Sequence, residues 1–262
     1  MKEQLFPVSI SLSSYGATLV RERGQESFIE LLAEAGARRI EVREELLTHE
    51  DPQRFATRAA AMGLECAYSS PLELWPAGQS RPDPQLAATL QHAEAFGARW
   101  LKVSLGYFSE NCDLSALAGL LSASPVRLLV ENDQTTQGGR IEPLLRFFDQ
   151  VEQQQLPVKM TFDIGNWQWQ DQSASSAARL LGRHVDYLHC KAVAQRADGK
   201  LVALPPSATD LELWERLLGQ MSQGVTRAVE YPLQGDDLLA VTREQVHTLA
   251  RLGRSMEETA HA

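Results

Sequence analysis

Four short runs of this sequence end in side chains that bind cations or move protons. "LLVEND" carries Glu131, "MTFD" carries Asp163, "VDYLHCK" carries His189 with Lys191 two residues on, and "RAVEY" carries Glu230. Each run is apolar enough for a buried strand, and each places its polar group at the end. Three carboxylates converging in one cleft repel one another, so one of them takes up a proton unless a counter-charge is present. A divalent cation removes that conflict. Three acids and a neutral imidazole form a mainly oxygen donor set with one nitrogen. That set suits Mn²⁺ or Mg²⁺ and is also compatible with Zn²⁺, Co²⁺ or Ni²⁺. The expected metal ligands are therefore Glu131, Asp163, His189 and Glu230.

These groups meet only if the strands that carry them lie side by side and run in one direction. Eight strand-like runs recur along the chain: VSISL (8–12), RRIEV (38–42), LECAY (64–68), RWLKVSL (99–105), VRLLVE (126–131), VKMTFD (158–163), VDYLHCK (185–191) and TRAVEY (226–231). Between them lie segments with apolar residues at three- and four-residue spacing, such as "QESFIELLAEAGA", "PQLAATLQHAEAFGA" and "IEPLLRFFDQVEQQ", which predict amphipathic helices. Gly36, Gly63, Gly97 and Gly224 stand where helices would close before the next strand. A last helix is expected over 237–257, with 258–262 as a frayed tail.

Each strand–helix unit spans roughly 25–40 residues, the size of a βα repeat. Such alternation implies parallel strands, because a crossover helix returns the chain to the same end of the sheet. An open sheet would commonly carry a glycine-rich phosphate turn after its first strand. Here that turn reads "SLSSYGATLV", with one glycine. The expectation is an α/β chain folded as a single (βα)8 TIM barrel over 1–262, the C-terminal helix closing its last unit. Active sites of such barrels lie at the C-terminal ends of the strands, which is where the four candidate ligands fall.

Other residues near those ends are weaker candidates. Asn166 either hydrogen-bonds a substrate hydroxyl or caps the segment that follows. Lys191 neutralises the acidic cluster, and Arg196 reaches a substrate oxygen or phosphate. Trp75 and Trp167, with Trp169, fall in predicted βα loops where aromatics can wall a substrate off from water; Tyr15 and Phe108 are less marked. Glu41 and Arg43 alternate with Ile40 and Val42, so they point into the barrel, with a structural ion pair the expected role.

Composition narrows the function classes. The chain has 262 residues, 44% hydrophobic and 23% charged, with a formal net charge of −9. No Lys/Arg-rich run is present, which argues against a nucleic-acid binder. Three scattered cysteines, Cys66, Cys112 and Cys190, show no CxxC spacing. Neither a disulfide framework nor a thiolate zinc site is expected, and a reducing, cytoplasmic setting is the simpler assumption. No apolar run reaches membrane-spanning length, and the first residues lack a signal-peptide h-region.

The motifs "VENDQT", "TFDIGN", "LHCK" and "VEYP" make the chain resemble the xylose-isomerase-like (sugar phosphate isomerase/epimerase) barrels. The resemblance covers the whole chain in architecture and is sharp only at these motifs. It implies that Glu131, Asp163, His189 and Glu230 bind a divalent metal. It also implies that Glu131 and Glu230 are the catalytic pair, exchanging protons with a sugar or sugar phosphate through a metal-stabilised enediolate. The family's Asp-x-Gly-His is Asp163-Ile-Gly165-Asn166 here, and its His-x-Lys-Asp is His189-Cys-Lys191-Ala192. Barrels of this kind often pair or form tetramers, so a homo-oligomer is among the expected states. Two alternatives use the same scaffold: a metal-dependent dehydratase of a polyol or keto acid of the inosose or dehydroshikimate type, and a metal-free sugar-binding barrel. Endonuclease IV-type repair needs a histidine-rich three-zinc cluster. Of the six histidines here (His49, His92, His184, His189, His247 and His261), only His189 falls at a strand end.

Overall fold

Eight strands run parallel and close on themselves in the computed structural model, which describes residues 5–253. They are β1 (Val8–Ser11), β2 (Arg39–Arg43), β3 (Glu65–Trp75), β4 (Ala98–Gly106), β5 (Arg127–Glu131), β6 (Val158–Asp163), β7 (Val185–Cys190) and β10 (Thr226–Val229); β8 (Ala192–Gln195) and β9 (Leu201–Leu204) form a separate hairpin. Around the barrel the order is β1-β10-β7-β6-β5-β4-β3-β2. Helices α1 (Ala17–Arg23), α2 (Ile29–Glu34), α3 (Pro52–Ala61), α4 (Leu86–Ala95), α5 (Leu114–Ser122), α6 (Ile141–Gln153), α7 (Ala174–Leu181), α8 (Ala208–Leu218) and α9 (Leu238–Arg251) connect the strands. The expected (βα)8 barrel is the observed fold.

The helices sit where their apolar spacing directs them. On α6, Leu144, Phe147, Phe148 and Val151 make one buried stripe against the sheet. Side-chain caps start several helices: Asp51 ahead of Pro52 in α3, Asp113 in α5, Ser173 in α7, and a reciprocal Ser207–Asp210 capping box in α8. Gly36 ends the α2 segment at φ +87°. Its N–H donates to Ala33 O, and Ala37 N–H donates to Leu32 O, the turn a residue with a side chain adopts at a cost.

Alternation along each strand sorts the barrel interior into layers. Ala67, Trp100, Leu129, Tyr187 and Ala228 form an apolar cluster of their own within the ring. Two residues further along the same five strands stand Ser69, Lys102, Glu131, His189 and Glu230. Inward-facing positions are two apart on a strand, so an apolar floor lies directly beneath a polar layer at the C-terminal rim. That floor keeps water from the lower face of the charged groups.

Four details differ from expectation. β3 continues from 68 to Trp75 through Pro71, with a shift of its β4 pairing between Ser69 and Glu73 that takes up the irregularity. The stretch after β7 is an antiparallel hairpin rather than a loop leading to a helix. Gly224 lies in a turn well past the end of α8 and does not close it. The last helix, capped by Asp237, stops at Arg251; 254–257 and the expected tail at 258–262 lie outside the described residues.

Candidate functional site

The four expected ligands come together. Among the described residues, Glu131, Asp163, His189 and Glu230 each offer one donor atom, and these atoms all lie within 4.8 Å of one another. Strand register makes this possible: Asp163 pairs with His189 across β6 and β7, and Glu131 with Thr161 across β5 and β6. Glu230 follows β10 directly, its N–H donating to Cys190 O at the end of β7.

His189 is fully buried, and each of its two ring nitrogens has a distinct surrounding. Nε2 lies 2.8 Å from Glu41 Oε2, a carboxylate also fully buried. With Nε2–H donating to that carboxylate, Nδ1 turns a lone pair toward the other acids. Tyr187 packs edge-on against the imidazole at 5.4 Å and donates to Ser9 Oγ, which fixes the ring from below. Glu41 thus serves mainly as the partner of His189; its expected pairing with Arg43 is the longer contact, at 3.5 Å.

Nδ1 is 2.6 Å from Glu131 Oε1, 3.2 Å from Glu230 Oε2 and 3.8 Å from Asp163 Oδ2. Yet Nδ1, Glu131 Oε1 and Asp163 Oδ2 are buried without an aligned hydrogen bond. Acceptor atoms packed this close without hydrogen bonds to satisfy them are an arrangement a cation stabilises. The residues present fit a divalent metal.

Each acid has a second oxygen held from outside the cluster. Lys102 Nζ donates to Glu131 Oε2 at 2.6 Å, and Arg43 Nη1 to Glu230 Oε1 at 2.7 Å. Lys191 Nζ donates to Glu230 Oε2 at 2.9 Å and lies 2.7 Å from Asp163 Oδ2. Asp163 Oδ1 accepts the backbone N–H groups of Gly165 and Asn166, both at 2.9 Å. It therefore caps the following turn with one oxygen and turns the other toward the centre, where Lys191 also meets it.

Burial and charge pull these groups in opposite directions. Burial pushes the Glu131 carboxyl up, but the Lys102 ammonium and then His189 overcome it and hold its pKa at about 2. Burial likewise opposes ionisation of Glu230, where His189, Lys191 and Arg43 together prevail and hold it well below the usual range. For Asp163 burial wins, aided by Glu230 and Glu131 against Lys191, and its pKa rises. His189 is disfavoured as a cation by burial but raised well above its ordinary value by Glu230, Glu41 and Glu131.

The weaker candidates divide. Lys191 joins the centre. Asn166 lies beside it, but its side chain is committed. Nδ2 donates to Asn132 O at 2.9 Å, while Oδ1 accepts from Gln134 at 3.2 Å. Asn132 in turn clamps β5 to β6, accepting from Asp163 N and donating to Asp163 O. Trp75 and Trp167 are fully buried, packed on Phe108 and Phe162, so neither offers surface to a substrate. The extension of β3 and the tight turn after β6 pull them inward. Arg196 is exposed in the turn between β8 and β9, where its backbone closes the hairpin with Lys200. Lys102 was missed from sequence, although a lysine alternating with Trp100 and Ser104 in an otherwise apolar run is a detectable signal.

Gly165 is required for space. A Cβ there would lie 2.6 Å from Val193 Cγ2 and 2.8 Å from Lys191 Cγ. Gly165→Ala is expected to push Lys191 away from Asp163 and Glu230, and to cost about 1–3 kcal/mol by overpacking. Urea unfolding measures this; stability equal to that of the unaltered chain would mean that the β8–β9 hairpin yields freely.

Two other features are less suited to chemistry. A cavity of about 960 Å³ opens beside Phe6, Gly36 and α9, and none of the four ligands lines it. Asp149, Glu152 and His184 also group together, but Arg183 already pairs both carboxylates.

No family model matches the sequence, and no curated protein matches it either. Solved structures do match in fold. An L-ribulose 3-epimerase superposes with a TM-score of 0.68 over 98% of this chain and 99% of its own, at 15% identity. A xylose isomerase domain containing protein from Salmonella typhimurium LT2 gives 0.69 over 97% and 99%, at 16% identity. The IOLI protein, solved with a zinc atom, gives 0.71 over 94% and 99%, at 13% identity. These likenesses show the fold, a (βα)8 barrel.

Proposed function

We propose, from this barrel type and its rim, that the chain is a divalent-metal-dependent isomerase or epimerase of a ketose sugar or sugar phosphate, working by removal of the proton next to the carbonyl. The convergence of His189 Nδ1 with Glu131 Oε1 and Asp163 Oδ2, all three buried without a hydrogen bond, and with Glu230 Oε2 beside them, carries the reading. That solved barrels of this type include a sugar epimerase and a zinc-bound protein supports it. A cation held by these four residues supplies positive charge that offsets the negative charge growing on substrate oxygen as the α-proton leaves.

Glu131 and Glu230 lie on opposite sides of the cluster, with β6 and β7 between their strands. One takes the α-proton and the other, on the far face, returns one. Lys102 on Glu131, and Arg43 with Lys191 on Glu230, fix the orientation of each carboxylate and keep it ionised, ready to accept. Return to the same carbon from the other face is epimerisation; return to the neighbouring carbon is isomerisation. Loss of a β-hydroxyl from the same anion is dehydration, the alternative reaction.

A second reading has one observation in its favour. Arg43, Lys102, Lys191 and a protonated His189 balance Glu41, Glu131, Asp163 and Glu230 with no metal at all. The chain would then be a metal-free sugar-binding barrel. Titration with Mn²⁺ separates the two. A Kd-hundredfold excess is expected to add about 2.7 kcal/mol of stability, a Tm rise of about 5–10 °C for a chain of this length. In D₂O, one or more ketoses of a panel is expected to gain deuterium beside its carbonyl. An unchanged Tm with Mn²⁺, Mg²⁺, Zn²⁺, Co²⁺ and Ni²⁺ leaves the metal-free reading standing and removes the first.

A further inference from the structure

On the side of the barrel away from Asp163 lies a row of three side chains, of which the proposed reaction uses the outer two only to hold Glu131 and Glu230. Arg43 pairs in register with Ser69 across β2 and β3, and Ser69 with Lys102 across β3 and β4. All three face inward, each two residues beyond an inward-facing neighbour: Glu41, Ala67 and Trp100. Lys102 leans from the row to Glu131, and Arg43 leans the other way to Glu230. Between them the Ser69 side chain is 99% buried, and its hydroxyl has no hydrogen-bond partner.

We propose that the Arg43–Ser69–Lys102 row seats a carboxylate of the substrate, so that the sugar handled here is a sugar acid. The inference rests on the metal-dependent reading above and names its substrate class. A carboxylate has two oxygens in a plane. It suits the Lys102 ammonium on one side and the Ser69 hydroxyl beside it, while the Arg43 guanidinium, its Nε and Nη2 already on Glu45 and its Nη1 on Glu230, adds positive charge from the other side. Charge agrees with shape. The buried acids Glu41, Glu131 and Asp163 and the nearly buried Glu230 carry four negative charges; Arg43, Lys102 and Lys191 carry three positive ones. With His189 neutral as a ligand, a divalent cation leaves the centre with one net positive charge. A monocarboxylate cancels that charge, a neutral ketose leaves it uncompensated, and a phosphate dianion exceeds it. Glu44 and Glu45, which touch Ser70 and Arg43 at the rim, are in contact with solvent and stand outside this balance.

The test is calorimetric binding to the Mn²⁺-loaded full chain. D-Fructose is compared with two acids of the same carbon skeleton, 2-keto-D-gluconate and D-fructuronate, and with D-fructose 6-phosphate. One of the two acids is expected to bind at least tenfold more tightly than D-fructose. Lys102→Met is expected to abolish the preference. Ser69→Ala is expected to reduce it several-fold with Mn²⁺ affinity unchanged within a factor of three. The proposal is overturned if neither acid is preferred, if the phosphate binds more tightly than both acids, or if the preference survives Ser69→Ala undiminished. Mn²⁺ titration and solvent deuterium exchange on the unaltered chain distinguish this failure from a deeper one. Metal binding and exchange without acid preference remove only this inference, whereas absence of metal binding removes the reading beneath it.

Discussion

Glu131→Gln and Glu230→Gln will each block proton exchange from one epimer of the substrate and spare exchange from the other. The expectation follows from where the two carboxylates stand. Glu131 ends β5 and Glu230 follows β10, with the two strands carrying Asp163 and His189 between them. In the proposed reaction, a sugar over those central residues would present opposite faces of its α-carbon to the two glutamates. An amide keeps the size of the side chain and can still accept from Lys102 or Arg43, but it cannot take a proton. General acid–base groups contribute about 10²–10⁴ in rate, so each variant should lose about a thousandfold for its own epimer. Both residues are also expected metal ligands, and the comparison is made at saturating Mn²⁺ to separate binding from chemistry. Deuterium incorporation into each epimer, followed by NMR, reads the result. If one variant loses exchange from both epimers and the other loses neither, a single base operates and two-face epimerisation is excluded.

The sequence disclosed the rim of the barrel better than its interior wall. A buried parallel strand reads as an apolar run, and a polar group at its end has few structural reasons to be there; Asp163 and His189 stood out for that reason. Their convergence followed from the βα alternation, because parallel neighbours bring corresponding strand ends together. Lys102 stayed hidden because it lies in the middle of a run, where the surrounding Leu101 and Val103 dominate the pattern. Only the inward direction common to Trp100, Lys102 and Ser104 marks it. Trp75 was misplaced by Pro71, a residue that ordinarily ends a strand, which β3 instead accommodates through a shifted register. The hairpin after β7 carried a legible sign, Asp198-Gly199 between two short apolar runs. Alternation with helices drew attention away from it. Asn166 shows a different limit: its type suits a substrate contact, but Asn132 and Gln134 already occupy its amide, and no spacing rule reveals a neighbour across two loops.

The buried pair beneath the centre should produce the largest effect on stability. His189 and Glu41 are both fully buried and 2.8 Å apart, and Glu41 Oε1 has no hydrogen bond of its own. His189→Ala removes the proton donor and leaves a carboxylate whose remaining cationic partner among the described residues is Arg43, 3.5 Å away. Breaking a buried pair by deleting one member costs about 3–5 kcal/mol. Unfolding in urea should show that loss. Adding Glu41→Gln removes the uncompensated charge, so the double variant is expected to recover about 1–3 kcal/mol of it. Glu41→Gln alone tests a separate consequence. Its amide still accepts from Nε2, but the weaker partner reduces the donor strength of Nδ1, and loss of such an outer contact typically lowers metal affinity about 10–100-fold. A Glu41 that served only to pair with Arg43 would leave Mn²⁺ affinity unchanged. Calorimetric Mn²⁺ titration of Glu41→Gln therefore decides whether this carboxylate supports the imidazole as a metal ligand. A His189→Ala chain within about 1 kcal/mol of the unaltered one would show that the pair contributes little to the fold.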